Sequence, residues 1–485
     1  MRLASAQMET SDMKLRVRIP ASFSASLSAS LIVFSPLAAL PAHSADLLQV
    51  YERALQNDPQ IREADANRLA SRESKPQALA AMLPQVNTTL DYTKNGSDSE
   101  RVGSFPVSAG QVLQTPVNTE TDTTNRSFDV TLTQTLFNWD QWANLQRADA
   151  QVAQAEADYQ AAQQDLIQRT AQRYFDVLAA RDTVDSAQAT LDAFTRQLEQ
   201  ADKRFEVGLI AITDVQETRA AHDQAAASVI QAKRALATAQ ELLRELTGEP
   251  FDSLAPPVDD LPLKTPEPQD AEEWVAKALD QNLRVISARL ATDIAKQDVR
   301  VARAGHLPTL QLVAGYSDND TDGDSDDNYG ALGSTSRSAD STGSSDYIGL
   351  QLRLPIYSGG GTSSRVRQRV YLHRAARERL ERAARETERA TRDAYLGVLS
   401  EISRVKALKQ AVDSSQTALQ ATEAGFEVGT RTTVDVLDAR RRLFEAQTNY
   451  LRSRYDYLLN VLQLQLATGT LNRDELAEIN GMLKK

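Results

Sequence analysis

The sequence predicts a mainly α-helical, internally duplicated chain in which very long helices alternate with a few strands suited to a membrane β-barrel. Three observations predict it. Matching residues recur in the same order in two blocks, Pro-free helical stretches run far longer than one globular domain holds, and short strands have one apolar and one polar face. Composition agrees: Gly is 20 of 485 residues and aromatics are 6 %, so turn-formers and large core-fillers are scarce. Mean hydropathy is −0.43, and no apolar run nears the ~18 residues of a membrane-spanning helix. That excludes helical spans and leaves a β-barrel open. The absence of Cys excludes disulfides and thiolate chemistry, and the 4 His offer little for a histidine metal centre. A formal charge of −12 weighs against nucleic-acid binding, which needs a positive field.

The chain opens on a positive stretch, Lys14, Arg16 and Arg18, followed by small apolar residues from about 21 to 40 and by Pro41-Ala42-His43-Ser44-Ala45. This is the order of a secretory leader, expected over residues 1–44. Those residues hold Arg2, Lys14, Arg16 and Arg18 against Glu9 and Asp12, so the mature chain carries −12 − 2 = −14.

Beyond the leader the chain is written twice. Ala54-Leu55 and Leu83-Pro84 recur as Ala278-Leu279 and Leu307-Pro308, at one shared offset: 278 − 54 = 308 − 84 = 224. Phe205-Glu206-Val207-Gly208 recurs as Phe426-Glu427-Val428-Gly429, and Thr247-Gly248 as Thr468-Gly469, where 429 − 208 = 469 − 248 = 221. The expected organisation is a first repeat over 45–248, a Pro-rich linker over 249–269, a second repeat over 270–475 and a tail over 476–485.

Each repeat alternates helix and strand. Val86, Thr88, Leu90 and Tyr92 alternate with Asn87, Thr89 and Asp91; Phe128, Val130 and Leu132 alternate with Asp129 and Thr131. Leu310, Leu312, Ala314 and Tyr316, then Ile348, Leu350, Leu352 and Leu354, repeat the pattern. Strands are therefore expected near 85–93, 127–137, 309–317 and 347–357. An apolar face opposite one of Asp, Gln and Arg suits a wall with lipid outside and water inside. Four strands cannot close a barrel, whose smallest membrane examples have about eight. Copies must pool their strands: a dimer supplies eight and a trimer twelve.

The helices argue independently. Residues 138–207 hold no Pro and read as one helix of about 70 residues, or ~105 Å; 358–428 match it in the second repeat. Shorter helices of about 35 residues are expected over 48–82, 212–247, 271–306 and 434–468. Val184, Ala187, Leu191, Phe194, Leu198, Ala201 and Phe205 form a coiled-coil seam of alternating threes and fours. A second heptad from Leu145 to Leu166 is out of phase by a four-residue stutter, which unwinds a supercoil locally.

With this layout the chain resembles the TolC family of outer-membrane efflux and secretion channels. The resemblance runs from about Asp46 to Leu471. It is carried by Leu83-Pro84, by Gln134-Thr135-Leu136-Phe137-Asn138, by Arg204-Phe205-Glu206-Val207-Gly208 with Ala211-Ile212-Thr213-Asp214-Val215, and by the stretch from Gly425 to Ala439. It implies a trimeric channel-tunnel: four strands per protomer in a shared twelve-stranded outer-membrane barrel, above a long coiled-coil α-helical barrel in the periplasm that opens like an iris. It also implies a periplasmic adaptor and an inner-membrane ABC or proton-driven transporter as partners, for type I protein secretion or drug efflux.

Gly208 and Gly429 each follow a long helix and suit the left-handed position that ends one, so both mark hairpin tips. The tips differ: position 210 is Ile, whereas its mate, 210 + 221 = 431, is Arg. In the family pattern that arginine links to a Thr-Asp pair of the neighbouring copy, here Thr213 and Asp214, and holds the entrance shut. A local reading of the same residues is a capping box between Thr213 and Gln216 and an Arg431–Asp435 pair. The family carries Tyr where this chain has Phe426, which removes a hydroxyl from the latch. Asp435 and Asp438 lie three apart on one face, so threefold symmetry would set six carboxylates round the aperture, as in cation-selecting rings. The alternative is an acidic first turn favoured by the helix dipole.

Other signals carry less. Asp318-Asn319-Asp320-Thr321-Asp322-Gly323 matches the start of a calcium loop, but its twelfth position is Tyr329 rather than Glu, so it reads as a solvated surface loop, as does 94–126. Gly359-Gly360-Gly361 lacks the ending of a phosphate loop. No nucleophile, base and orienting group come together, so neither catalysis nor a cofactor or metal is expected. The expected function is a passive export duct in the outer membrane. The alternative is a water-soluble periplasmic coiled-coil adaptor or scaffold, which has no use for a lipid-facing stripe.

Overall fold

The computed structural model describes residues 44–484 apart from 109, 252 and 339. The expected leader, save Ser44, lies outside the described residues. In chain order the elements are α1 (Leu47–Asn57), α2 (Pro59–Arg72), α3 (Ser74–Ala80), β1 (Gln85–Ser108), β2 (Gln111–Phe137), α4 (Trp139–Glu206) and α5 (Ile212–Thr247). After the linker come α6 (Ala271–Gln281), α7 (Leu283–Ala304), β3 (Thr309–Asn328), β4 (Ser334–Ser338), β5 (Ser341–Arg353), α8 (Gly361–Glu427), α9 (Thr433–Thr468) and α10 (Arg473–Asn480).

The long helices form as their patterns predict: α4 has 68 residues and α8 has 67, each about 100 Å long. Each turns at its glycine into a helix of 36 residues, α5 or α9, and packs along it. The shorter helices over 48–82 and 271–306 are not continuous, which corrects the expectation of single rods. Asp58 precedes Pro59, whose ring drives it out of the helical region, to ψ 120°. Its carboxylate then accepts from the Gln60 N–H (3.1 Å) and restarts the helix. Asn282, 224 residues on from Asp58, restarts α7 in the same way through the N–H of Arg284 (3.0 Å).

Both breaks dock on the end of a returning helix. The Asn57 amide donates to the Thr247 carbonyl (2.7 Å), and the Asn282 amide to the Ala467 carbonyl (2.9 Å). Gly248 and Gly469 end those helices at φ 76° and 77°. A Cβ on Gly469 would lie 2.4 Å from the Gln281 carbonyl oxygen. Gly469→Ala is therefore expected to destabilise the chain by at least about 2 kcal/mol, from left-handed strain and backbone overlap together. Thermal unfolding checks this against Gly110→Ala, where φ is also positive but nothing lies within 4 Å.

The core sits where the long helices meet the linker and both ends of the described chain. Phe175 stacks on Tyr455 at 5.7 Å, and the buried Tyr174 hydroxyl donates to the Ala255 carbonyl at 2.8 Å. The Ala45 N–H donates to the Ser253 carbonyl (2.9 Å), and the Val258 N–H to the Met482 carbonyl (2.9 Å). Within the expected tail, Leu476, Ile479 and Leu483 are buried against the core. Asp182 on α4 accepts from the Tyr455 hydroxyl at 2.6 Å, and burial holds its carboxyl above the usual carboxylate range.

The strands form one antiparallel sheet in the order β1-β2-β3, with β4 and β5 both along β3. Asp324 faces Ser338 and Thr309 faces Arg353; both pairs sum to 662, so β4 and β5 continue one register, interrupted at 339 and 340. Five segments therefore fill four columns. The strands are longer than expected. Within 94–126, read as a loop, Lys94–Pro106 pair in one register with Val112–Thr124, and 318–328 pair with β2. Thr favours strands, whereas Asp, Asn and Gly disfavour them, and none of these gives an apolar alternation, so the pattern ended before the ladder did. At the other end β5 stops at Arg353 rather than near 357.

Candidate functional site

Register decides what the sheet can face. One row joins Val86, Leu132, Ala314 and Ile348, and a higher row on the same face joins Leu90 to Phe128. The rows between, such as Asn87↔Thr131↔Gly315, put polar and small residues on the other face. The apolar face is bare: Leu90 is 76 % exposed and Ile348 76 %. Its upper limit falls by one pair of residues per column, from Tyr92 through Phe128 and Tyr316 to Ile348. Tilted strands crossing a level boundary give that slope, and the aromatic residues along it are those of an interfacial girdle. Above the line the same face turns acidic, with Asp98, Glu120 and Asp326 in one row. Among the described residues nothing pairs with the outer edge of β1 or of β5.

The opposite end of the chain is the pair of hairpin tips. Gly208 and Gly429 adopt φ 75° and 78°, as their positions after α4 and α8 predict. The Asp214 carboxylate accepts from the Ala211 N–H (3.3 Å). This is half of a capping box, but with Ala211 and Asp214 in place of the Thr213 and Gln216 of the local reading. At the second tip the box is complete: Asp435 accepts from the Thr432 N–H (2.8 Å), and the Thr432 hydroxyl accepts from the Asp435 N–H (3.2 Å). The Thr432 backbone and hydroxyl, with Arg431 adding its charge, hold the Asp435 carboxyl below the usual range.

Arg431 is exposed and, among the described residues, its side chain forms no hydrogen bond or ion pair, with Asp435 included. Its stem lies on Gly425, where a Cβ would be 2.8 Å from Arg431 Cγ. Neither Thr213 nor Asp214 of the same chain meets it. Phe426, by contrast, has a partner the sequence reading missed: the Arg204 guanidinium of α4 sits 4.9 Å from its ring centroid. Arg440 likewise ties α9 to Glu423 of α8 and to the Ala193 carbonyl of α4. Asp438 is held by Arg441 and Arg442, each at 2.6 Å. Between the hairpin α4–α5 and α9 runs an open groove of about 620 Å³, lined by Phe194, Ala225 and Leu437 among others.

A family profile described as outer membrane efflux protein matches residues 50–249 and 274–470. The chain belongs to the outer membrane efflux protein family. The outer membrane protein TolC of Vibrio cholerae is 37 % identical over 90 % of this chain and 94 % of its own length. The alkaline protease secretion protein AprF of Pseudomonas aeruginosa is 28 % identical over 90 % of this chain and 86 % of its own. Among solved structures, the Campylobacter jejuni CmeC outer membrane channel superposes with a TM-score of 0.67 at 16 % identity, covering 90 % of this chain and 89 % of that one. A member of this efflux protein family is an outer-membrane channel of the Gram-negative envelope, serving secretion and efflux. The bare apolar face of the sheet fits that location and does not favour a water-soluble scaffold.

Proposed function

We propose that three copies of the chain close their sheets into one twelve-stranded barrel that forms a passive, water-filled export duct. The carrying observation is the two-faced sheet with both outer edges open. A membrane tolerates no unpaired strand edge. In each copy β1 runs up and the column of β4 and β5 runs down, so this column beside the β1 of the next copy stays antiparallel all the way round.

The long hairpins then form the periplasmic tunnel, closed at the tips by Arg431 reaching Thr213 and Asp214 of the neighbouring copy. Energy comes from an inner-membrane ABC or proton-driven transporter, joined through a periplasmic adaptor. The relatives include a protein named for alkaline protease secretion and one named for cobalt-zinc-cadmium resistance. Protein and small-molecule cargo are thus both within reach of this architecture, and a passive tube takes its cargo from its partner.

Planar-bilayer recording of the purified mature protein tests the reading. Discrete conductance steps, with a detergent-solubilised mass of three chains, are expected. A protein that stays in solution without detergent and never inserts overturns it in favour of the scaffold.

A further inference from the structure

Two aspartates near the tip of α9 suggest a cation-selecting ring once threefold symmetry is applied, but the helix carries equal and opposite charge in the next turn. Asp438 Oδ1 accepts from Arg441 and Oδ2 from Arg442, both at 2.6 Å, so each carboxylate oxygen has its own guanidinium. Arg440 turns away and is matched by Glu423. Apart from Arg440, residues 431–445 then hold three charges of each sign per copy: Arg431, Arg441 and Arg442 against Asp435, Asp438 and Glu445. Exposure sharpens the point. The Arg441 and Arg442 side chains are 72 % exposed and that of Asp438 is 31 % exposed, so an ion nearing the helix meets the guanidiniums first.

A charge pair in direct contact has a field that dies within the ~8 Å over which salt screens a single charge. Arginine stays protonated throughout the accessible pH range, so the cancellation is permanent. We propose that Arg441 and Arg442 set the ion preference of the entrance, cancelling the attraction for cations that Asp435 and Asp438 would exert and admitting anionic and neutral cargo equally. The proposal rests on reading the tips as the entrance. Exposed ion pairs along one helix stabilise it only slightly, and a purely structural role leaves selectivity unmoved.

The test is the reversal potential of single channels under a KCl gradient. Wild type is expected to reverse near zero. The double variant Arg441→Gln/Arg442→Gln should shift well toward the K⁺ equilibrium potential, and adding Asp438→Asn should bring it back. A double variant that reverses where wild type does, or a wild type already at the K⁺ potential, overturns the proposal while the duct stands. If no preparation conducts, the channel reading fails and this inference fails with it.

Discussion

Arg431→Ser is expected to raise single-channel conductance several-fold above wild type. The argument begins with what Arg431 lacks. Its stem is seated on Gly425, while its guanidinium has no partner among the described residues of its own chain. The equivalent position in the first repeat is Ile210, so only one of the two tips carries the charge. A positioned stem with a free head is suited to a partner on another copy, and Asp214 keeps acceptor capacity beyond its single long contact of 3.3 Å. A hydrogen bond to a charged group contributes about 1.5–3 kcal/mol. In the proposed trimer three of them round the entrance supply about 4.5–9 kcal/mol, the scale of the ~5.5 kcal/mol that a shift from 1:99 to 99:1 needs. The measurement is the conductance histogram of both proteins in the same bilayer. Equal conductance would reduce Arg431 to a tip residue and leave closure to ties within one chain.

Such ties exist, and they revise what Phe426 means. Loss of the family's tyrosine hydroxyl removes one hydrogen bond, but the ring keeps a face, and Arg204 occupies it at 4.9 Å. Arg440 adds a second link from α9 to α8 and α4. The two hairpins of one copy are thereby coupled without the hydroxyl, so that an opening motion moves them together or breaks these contacts.

What could be read from the chain was what local physics encodes. The long Pro-free helices, the glycines at 208 and 429 and the change of period at Leu83-Pro84 depend on neighbours in sequence, and they recur where expected. The upper halves of β1, β2 and β3 were not legible, because Thr, Ser and Asp on both faces erase the period of two while the backbone ladder continues. The helix breaks did leave a signal. Asp58-Pro59 is a turn signature, and Asn282 stands at the matching place in the second repeat, but both lie inside strong helical patterns that overrode them. Arg204 could not be paired with Phe426 from sequence, since the contact joins two different hairpins across nearly half the chain. Arg441 and Arg442 were in plain view. Summing charge along the face of α9, rather than counting its aspartates, would have found them.

The face assignment of the sheet makes the other large prediction. Leu350 pairs with Leu312 on the apolar face, and its neighbour Gln351 pairs with Gln311 on the polar one. If the proposed barrel forms, Arg in place of Leu350 enters its lipid face near the middle of the apolar run, at about 2–4 kcal/mol per copy. In the proposed trimer this comes to roughly 6–12 kcal/mol, comparable with the whole stability of a folded protein. Leu350→Arg should therefore abolish recovery of assembled channel from the outer membrane. Gln351→Arg places the same charge one residue on, facing water, and should assemble normally while altering the ion selectivity of the open channel. Fractionation of outer membranes followed by bilayer recording separates the two. If both variants assemble equally, the bare apolar face does not meet lipid. If only Gln351→Arg is lost, the faces are inverted and the barrel is lined by its leucines. The comparison holds charge, size and strand position nearly constant, so the only variable left is which side of the sheet the arginine lies on.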